Sequence, residues 1–431
     1  MNIAVIGGGI AGLTAAWLLS RQHTVTLFER QAQPGFVASS LAVDGVRVDM
    51  PLRVFYPGYY PTLTRLYREL GVATEPVSYA TTFTGSDGQV FFRWRNLRLG
   101  GLSIPYVLPV DVASPRAWRI VQGALRFKRL AGAALARGEL AGCSVGEFAA
   151  AHGLPAEYVD GLLLPALATI ATCTTEDARN YPADVVAAYL AGGLTRQSVR
   201  RAVHGADDAA HRLSAGIGRV VCSAGVQGVR QDGEHVAVLR ATGEVELFDH
   251  VVLATQANQA AALWQNPPPA QAELLAAFKY RRLEVLMHRD TRFMPVRRRD
   301  WSPVNARVCA QHDRPESTIW VNAVQPALRH AMPVFQTVHP HRQPRDDLLI
   351  GRAAFERPLV DASSQRALAT LQQSQSAAAA DRTPARRVWL CGSYAEAGVP
   401  LLESAVRSAY GVAAALRAAA AGPGLRAASG T

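Results

Sequence analysis

At 431 residues the chain is too long for one small core, and its length predicts two or three domains. Hydrophobic residues make up 49% of the chain, and no uncharged apolar run reaches the roughly 18 residues of a transmembrane helix. The formal net charge of +11 comes almost entirely from arginine, without any nucleic-acid-binding motif. We therefore assign this charge to a solvated surface and expect no nucleic-acid partner.

The five cysteines are odd in number and irregular in spacing, which predicts reduced thiols and neither a disulfide framework nor a metal site. Glycines interrupt the first apolar run too early for a secretory signal. We therefore expect a cytoplasmic protein without a bound metal.

The N-terminal 30 residues predict a β-α-β unit. The apolar run 3–6 is typical of a strand buried on both faces, residues 10–20 have a helical pattern, and residues 24–28 form a second strand. Glu29 ends that strand, where a carboxylate can accept hydrogen bonds from the hydroxyl groups of a ribose.

Three glycines between this first strand and helix form a G-x-G-x-x-G motif. Gly7 is expected to allow the tight turn, Gly9 to let a pyrophosphate approach the backbone, and Gly12 to let helix and strand pack closely. The helix begins at Ile10 and Ala11, where N–H groups and the helix dipole attract phosphate. The unit predicts a dinucleotide site but does not separate NAD from FAD.

The next two segments in the chain offer candidates for a substrate site. The tyrosines of "VFYPGYYPTL" are either tunnel-lining or packing residues: Tyr56, Tyr59 and Tyr60. Residues 114–137 predict a helix with Ser114 as N-cap and Pro115 in the first helical position. Its apolar side chains and arginines suit either a helix at a membrane surface or a cap helix that packs on its own domain.

Three later histidines are candidate bases, although we expect each to be structural because no cluster has metal spacing: His288, His339 and His341.

The C-terminal stretch "VWLCGSYAEAGVPLLESAVRSAYGVAAAL" predicts a strand, a loop and a helix over 388–416. Gly392 breaks the strand, and the helix that follows Pro400 and Leu401 begins with small residues that let it lie close to a flat ring. A second segment that returns to the first nucleotide unit favours FAD over NAD.

The glycine motif together with "ESAVRSA" (403–409) resembles the flavin-dependent amine oxidase and phytoene desaturase superfamily, whose C-terminal motif is similar to E-G-A-x-x-[AS]-G. Within it, stretches such as "YYPTLTRLYRELGV" (59–72) and "FERPLVD" (355–361) are most similar to bacterial FAD proteins associated with cyclopropane-fatty-acid-synthase-like enzymes. The resemblance implies an α/β fold: a Rossmann-like FAD-binding domain assembled from discontinuous segments, and a second, α+β substrate domain.

The implied segments are an FAD-binding domain at 1–75, 200–275 and 385–418, a substrate domain at 76–199 and 276–384, and a disordered tail at 419–431.

The resemblance also implies which residues bind FAD. The backbone at Leu402 and Glu403 would face the pyrimidine edge of the flavin, and Val226 would lie at the adenine. Arg53 would lie beside the flavin, where it stabilises either anionic reduced flavin or a substrate carboxylate; the other interpretation is a surface or structural ion pair. The further candidates are Gly7, Gly9, Ile10, Ala11, Gly12, Glu29, Arg30, Gly35, Ala254, Thr255, Gly392, Ser393 and Ala405.

Departures from the superfamily pattern bear on the reaction. Many amine oxidases hold a lysine near flavin N5, whereas "RRLEVLMHRD" contains none, and an aromatic residue before the C-terminal Glu is replaced by Pro400-Leu401-Leu402. No cysteine occupies the setting of a covalent flavin link, so we expect non-covalent FAD. The predicted catalytic candidates are Arg53, Tyr56 and Leu401.

We therefore expect an FAD-dependent oxidoreductase that acts on a C–C bond of a lipid-like or polyene-like substrate by hydride transfer to flavin N5. Three alternatives stay open: an amine oxidase, a redox-neutral isomerase and a non-catalytic flavin-binding partner protein. The sequence leaves the substrate, the electron acceptor and the oligomeric state undetermined.

Overall fold

The computed structural model describes residues 1–35, 40–99, 102–111, 113–191, 198–381 and 386–420. The C-terminal helix Leu402–Ala420 extends slightly beyond the predicted start of the tail at 419. The remainder of the predicted tail, 421–431, lies outside the described residues.

A parallel sheet carries the N-terminal motif. Within the described ranges it has five strands, in the spatial order Arg219–Val221, Thr24–Phe28, Asn2–Ile6, His250–Leu253 and Val388–Leu390. Both of its faces are buried: in the central strand Ile3 and Val5 belong to one core and Ala4 and Ile6 to another. This explains why the strand is an unbroken apolar run rather than an alternating one.

Helices and a second sheet cover the parallel sheet. Core residues on one face come from the helices Ile10–Leu19, Ala206–Ala215 and Leu402–Ala420. The other face packs against three helices and a small second sheet. The helices are Ala257–Leu263, Pro269–Ala276 and Ala362–Asp381. The sheet has the antiparallel strands Val245–Phe248, His235–Arg240 and Val226–Asp232, and Trp264–Gln265 pairs in parallel at its edge. The predicted Rossmann-like layer is thus closed on both sides.

A larger mixed sheet forms the other half of the molecule. In the described part of the chain it contains eight strands, in the order Leu349–Pro358, Tyr280–His288, Phe335–Val338, Glu316–Trp320, Val304–Arg307, Thr81–Thr84, Val90–Leu99 and Leu102–Tyr106. Short paired strands flank it: Leu41–Val43 with Val46–Val48, and Thr74–Pro76 with Arg200–Ala202.

The remaining helices lie mainly between residues 61 and 191: Pro61–Glu69, Pro115–Arg137, Val145–Ala151, Ala156–Tyr158, the π-turn Val159–Leu163, Leu164–Ala171, Thr175–Arg179 and Ala183–Ala191, with Val321–Val324 further on. Single 3₁₀ turns occur at Pro109–Asp111, Thr291–Phe293, Arg298–Asp300, Pro326–Leu328, Asp346–Leu348 and Ser393–Ala395. In the part of the chain that the structure describes, no helix combines the length and the apolar character needed to cross a membrane.

The predicted helix at 114–137 is confirmed at Pro115–Arg137, with the Ser114 hydroxyl oxygen accepting a hydrogen bond from the Ala117 N–H at 3.1 Å. One face of it is buried through Ile120 and Phe127 in the main core. The helix therefore packs against its own domain, as the cap-helix interpretation of the sequence expects.

Each of the two large sheets takes its strands from one of the two predicted sets of segments, and two other elements pack across these sets. The hairpin around residues 41–48 packs Val43 and Val48 against the eight-stranded sheet. Helix Ala362–Asp381, placed in the substrate domain by sequence, packs Leu368 and Leu371 on the parallel sheet. The domain boundaries themselves stay a prediction.

Candidate functional site

The glycine turn lies at the carboxyl end of strand Asn2–Ile6. Gly7 has φ +106°, which favours glycine, and a Cβ there would lie 2.9 Å from the Ala254 carbonyl oxygen. At Gly12 a Cβ would lie 1.9 Å from the Gly7 carbonyl oxygen, so helix and strand are in close contact. A Cβ at Gly9, in contrast, would meet no atom within 4 Å. Space is therefore left in front of the helix N-terminus, and no side chain caps that helix.

The Glu29 carboxylate is fixed beside this turn by two backbone donors. One oxygen accepts a hydrogen bond from the Gly8 N–H at 2.6 Å and the other from the Gln31 N–H at 2.8 Å. Gly35 supports the same turn, since its N–H donates to the Gly8 carbonyl oxygen at 2.7 Å. Gly35 has φ +94°, and a Cβ there would lie 2.5 Å from the Ala210 Cβ. Close packing thus accounts for Gly35.

A cavity of about 750 Å³ runs from the glycine turn to the inner side of the eight-stranded sheet. Most of the predicted site residues line it: Gly7, Gly9, Ile10, Ala11, Glu29, Arg30, Arg53, Val226, Ala254, Thr255, Gly392, Ser393, Leu401, Leu402 and Ala405. The remaining predicted residues lie outside the lining: Gly12, Gly35, Tyr56 and Glu403.

The C-terminal helix begins at this cavity and faces it with Leu402 and Ala405. Between them, Glu403 turns away and is 3% exposed. Its two carboxylate oxygens accept hydrogen bonds from the N–H groups of Thr62 and Leu63 at 3.0 and 2.9 Å. These N–H groups lie in the first turn of helix Pro61–Glu69 and have no partner within that helix, so the Glu403 side chain caps it.

Serines fix the same helix start. The Ser404 hydroxyl donates to the Val399 carbonyl oxygen at 2.8 Å, so its partner lies in the preceding loop. The Ser408 hydroxyl donates to the Ala405 carbonyl oxygen at 2.8 Å and accepts from the Gly392 N–H at 3.0 Å. The loop after strand Val388–Leu390 is thereby tied to the helix.

Of the three predicted tyrosines, one lines the cavity. Tyr56 donates its hydroxyl to the Tyr189 carbonyl oxygen at 2.9 Å, and the Tyr59 hydroxyl accepts from the Val399 N–H at 2.8 Å. Both therefore pack and brace neighbouring segments, whereas Tyr60 reaches the cavity wall. Tyr189 packs edge-on against Tyr59 and also faces the cavity.

Sequence reasoning missed many polar residues of the cavity wall, among them Tyr79, Tyr189 and Arg357. Arg357 occurs in the stretch "FERPLVD", whose only signal is its similarity to the family. The two tyrosines carry no local signal, because they come from separate segments that only the fold brings together.

Burial shifts the pKa values of these groups. It lowers the pKa of Arg53 to about 10 and also lowers the pKa of Arg357. Burial raises the pKa of Tyr79 to about 12. At neutral pH Arg53 is therefore cationic and Tyr79 is neutral.

The predicted histidines lie outside the cavity lining. His288 is fully buried and shares a 2.8 Å hydrogen bond with the Thr337 hydroxyl. Burial lowers the pKa values of His288 and His339 to about 4, so both are neutral near pH 7. We infer that they stabilise the fold as uncharged groups.

Neither lysine of the sequence, Lys128 or Lys279, lines the cavity. The described residues contain no group of three or more potential metal ligands, and all five cysteines are free thiols.

Comparison with known proteins matches residues 5–70 to the NAD(P)-binding Rossmann-like domain family. A probable zeta-carotene desaturase of Synechococcus elongatus is 34% identical over 94 residues, which are 21% of this chain and 19% of that protein. The chain thus matches only about a fifth of this curated relative's length.

Several solved structures match nearly the whole chain, among them the following two. The CLA-producing fatty acid isomerase from P. acnes has a TM-score of 0.65 at 14% identity, covering 96% of this chain and 98% of the other. Cyclohexylamine oxidase from Brevibacterium oxydans has a TM-score of 0.65 at 15% identity, covering 97% and 98%. The chain shares the fold of these two proteins, with a Rossmann-like domain at its N-terminus. The predicted fold class is therefore confirmed.

Proposed function

We propose that the protein is an FAD-dependent oxidoreductase that acts on a C–C bond of a hydrophobic, lipid-like or polyene-like substrate. The observation that carries this proposal is the single cavity that joins the glycine turn to an apolar chamber. Bound FAD would supply a hydride acceptor, N5 of the flavin, at the junction of the two halves.

The residues at the nucleotide end suit FAD. The open space at Gly9 and the N–H groups of Ile10 and Ala11 would accommodate the pyrophosphate. Glu29 would accept hydrogen bonds from the ribose in addition to its two backbone donors. Val226 would lie at the adenine, and the start of the C-terminal helix would lie at the flavin. With no cysteine among the lining residues, FAD would be held without a covalent link.

The far end of the cavity suits an alkyl or polyene chain. Its apolar lining comes from several segments and includes Ile170, Ile319, Val338, Phe355 and Leu401. Such a wall excludes water and gains binding energy from buried area, about 0.8 kcal/mol per methylene. No lysine lines it among the described residues, so hydride transfer would rely on positioning the reacting carbon.

Three other functions remain as alternatives. The fold is shared with a cyclohexylamine oxidase, which favours a flavin amine oxidase, and with a fatty acid isomerase, which favours a redox-neutral reaction. A non-catalytic flavin-binding partner protein is the third alternative. The sequence resemblance to bacterial FAD proteins associated with cyclopropane-fatty-acid-synthase-like enzymes would fit a lipid substrate.

Anaerobic mixing of the oxidised protein with a panel of amines and a panel of unsaturated lipids separates these functions. The proposal expects a lipid to bleach the flavin absorbance. Bleaching by simple amines alone would replace it with the amine oxidase. A lipid converted without net oxidant use would identify the isomerase, and unreduced flavin with every candidate substrate would favour the non-catalytic protein.

We also propose that a cytoplasmic form of the protein contacts an anionic membrane surface through helix Pro115–Arg137 and the neighbouring hairpin of strands Val90–Leu99 and Leu102–Tyr106. Trp118 and Leu125 are 58% and 66% exposed on the outer side of the helix. The hairpin adds exposed apolar side chains, and exposed basic residues follow on the helix at Lys128 and Arg129. Exposed aromatic and basic residues together favour the interface of an anionic bilayer.

A further inference from the structure

Arg357 lies near the end of strand Leu349–Pro358 and contributes to the cavity wall. Its guanidinium is within electrostatic reach of Tyr60 and of Arg53, which line the same cavity. Two arginines from segments about 300 residues apart in the sequence therefore face the same cavity, whose wall also carries apolar side chains.

The two arginines differ in their surroundings. Asp49 lies near Arg53 and favours its charged form. Arg357 makes no hydrogen bond or ion pair through its side chain to any described residue, and no carboxylate contributes to its electrostatic surroundings. Arg357 is half-buried and faces the cavity, and a guanidinium in such a partly desolvated position gains from binding an anionic partner.

The carboxylates in the cavity wall do not supply that anion. Glu29 is bound to the backbone of the glycine turn at the opposite end of the site. Glu356 precedes Arg357 but accepts a hydrogen bond from the Asn258 side chain at 3.1 Å. Among the described residues of the cavity wall, Arg357 is thus left available to an anionic ligand.

We propose that Arg357, with Arg53 beside it, binds the carboxylate of the substrate, which makes the substrate an apolar carboxylic acid such as a fatty acid rather than a neutral polyene. A guanidinium binds a carboxylate through two parallel N–H donors, which fixes the direction of the attached chain. The alkyl chain then lies along the apolar wall. This inference rests on the proposed function and specifies its substrate class.

The experiment compares sodium oleate with oleamide, which has the same chain but no charge. Binding to the oxidised, flavin-loaded protein is followed by calorimetry and by the perturbation of the flavin spectrum. The variants are Arg357→Gln, which removes the charge, and Arg357→Lys, which keeps it. Arg352→Gln is the matched control, because Arg352 lies on the same strand but is exposed and outside the cavity lining.

The wild-type protein should bind oleate more tightly than oleamide. Arg357→Gln should weaken oleate binding about ten- to a hundred-fold, the usual effect of losing a charged hydrogen-bond partner, and leave oleamide binding unchanged. Arg357→Lys should retain part of the preference, and the control should behave like the wild type. The bound flavin content should be the same in all variants.

Equal binding of oleate and oleamide by the wild type, or binding of neither by the flavin-loaded protein, would overturn the inference. Loss of flavin from Arg357→Gln, or a changed flavin reduction potential with unchanged oleate affinity, would assign Arg357 to the cofactor instead. Failure of the wild-type protein to hold any flavin would refute the proposed function itself, and this result is distinct from the others.

Discussion

Two glycines of the motif should respond differently to the addition of a side chain: at Gly9 the affinity for FAD should fall, and at Gly12 the stability of the protein should fall. A valine at Gly9 would begin in open space, since no atom lies within 4 Å of the Cβ position, and the local φ of −69° suits any residue. The apoprotein should therefore change in stability by less than about 1 kcal/mol, the usual effect of losing a glycine N-cap. The same side chain would occupy the space of the pyrophosphate, so FAD affinity should fall by more than a hundred-fold.

At Gly12 even an alanine Cβ would lie 1.9 Å from the Gly7 carbonyl oxygen, a backbone atom that cannot move without shifting the strand. Gly12→Ala should lower the free energy of unfolding of the apoprotein by more than the 1–3 kcal/mol of ordinary overpacking.

Thermal and denaturant unfolding of both apoproteins, and titration with FAD followed by flavin fluorescence, measure the two effects separately. If Gly9→Val bound FAD with wild-type affinity, the turn would not be the pyrophosphate site. If Gly12→Ala were as stable as the wild type, the helix and the strand could not be in such close contact at Gly12.

Glu29→Ala should weaken FAD binding about ten- to a hundred-fold while the protein stays folded, and equilibrium dialysis that finds unchanged affinity would remove Glu29 from the site. Leu401→Asp should leave FAD bound but slow lipid-dependent flavin bleaching at least tenfold, because it places a charge in the apolar wall; a normal rate in stopped flow would contradict this. Trp118→Ser should reduce sedimentation with phosphatidylglycerol vesicles about tenfold, whereas Met332→Ser, at an exposed site elsewhere, should not; equal effects would argue against the proposed surface. Burial lowers the pKa of His288 to about 4 from an ordinary 6.5. Between pH 6.5 and about pH 4 the unfolded chain therefore binds a proton at His288 that the folded protein does not. The free energy of unfolding falls as the pH is lowered through this range. This contribution is on the order of 3 kcal/mol, and His288→Gln should make the acid-side fall in unfolding free energy shallower; an unchanged pH slope would show that His288 does not contribute.

Local patterns sufficed for the elements that hold the nucleotide. The apolar run, the glycines and Glu29 all lie within the first 30 residues. The sequence alone therefore predicts the turn at Gly9 and the position of Glu29 at the end of the second strand. The helix beginning at Pro115 was equally local, because its N-cap residue immediately precedes it. In each case, neighbouring residues determine the conformation.

The substrate end could not be predicted in the same way. Arg357 and Arg53 share a cavity wall only because strands far apart in sequence pair into one sheet and its flanking loops converge. The same limit applies to Glu403, whose backbone position was expected from the resemblance. Its carboxylate caps a helix about 340 residues earlier in the chain, a contact that no local pattern encodes.

The most direct test of the account is the identification of what the purified protein binds. The protein should show the absorption spectrum of an oxidised flavin, and denaturation should release one FAD per chain, identified by chromatography and mass spectrometry. Release without proteolysis would also establish that the link is non-covalent. Stoichiometric NADP with no flavin would contradict the account.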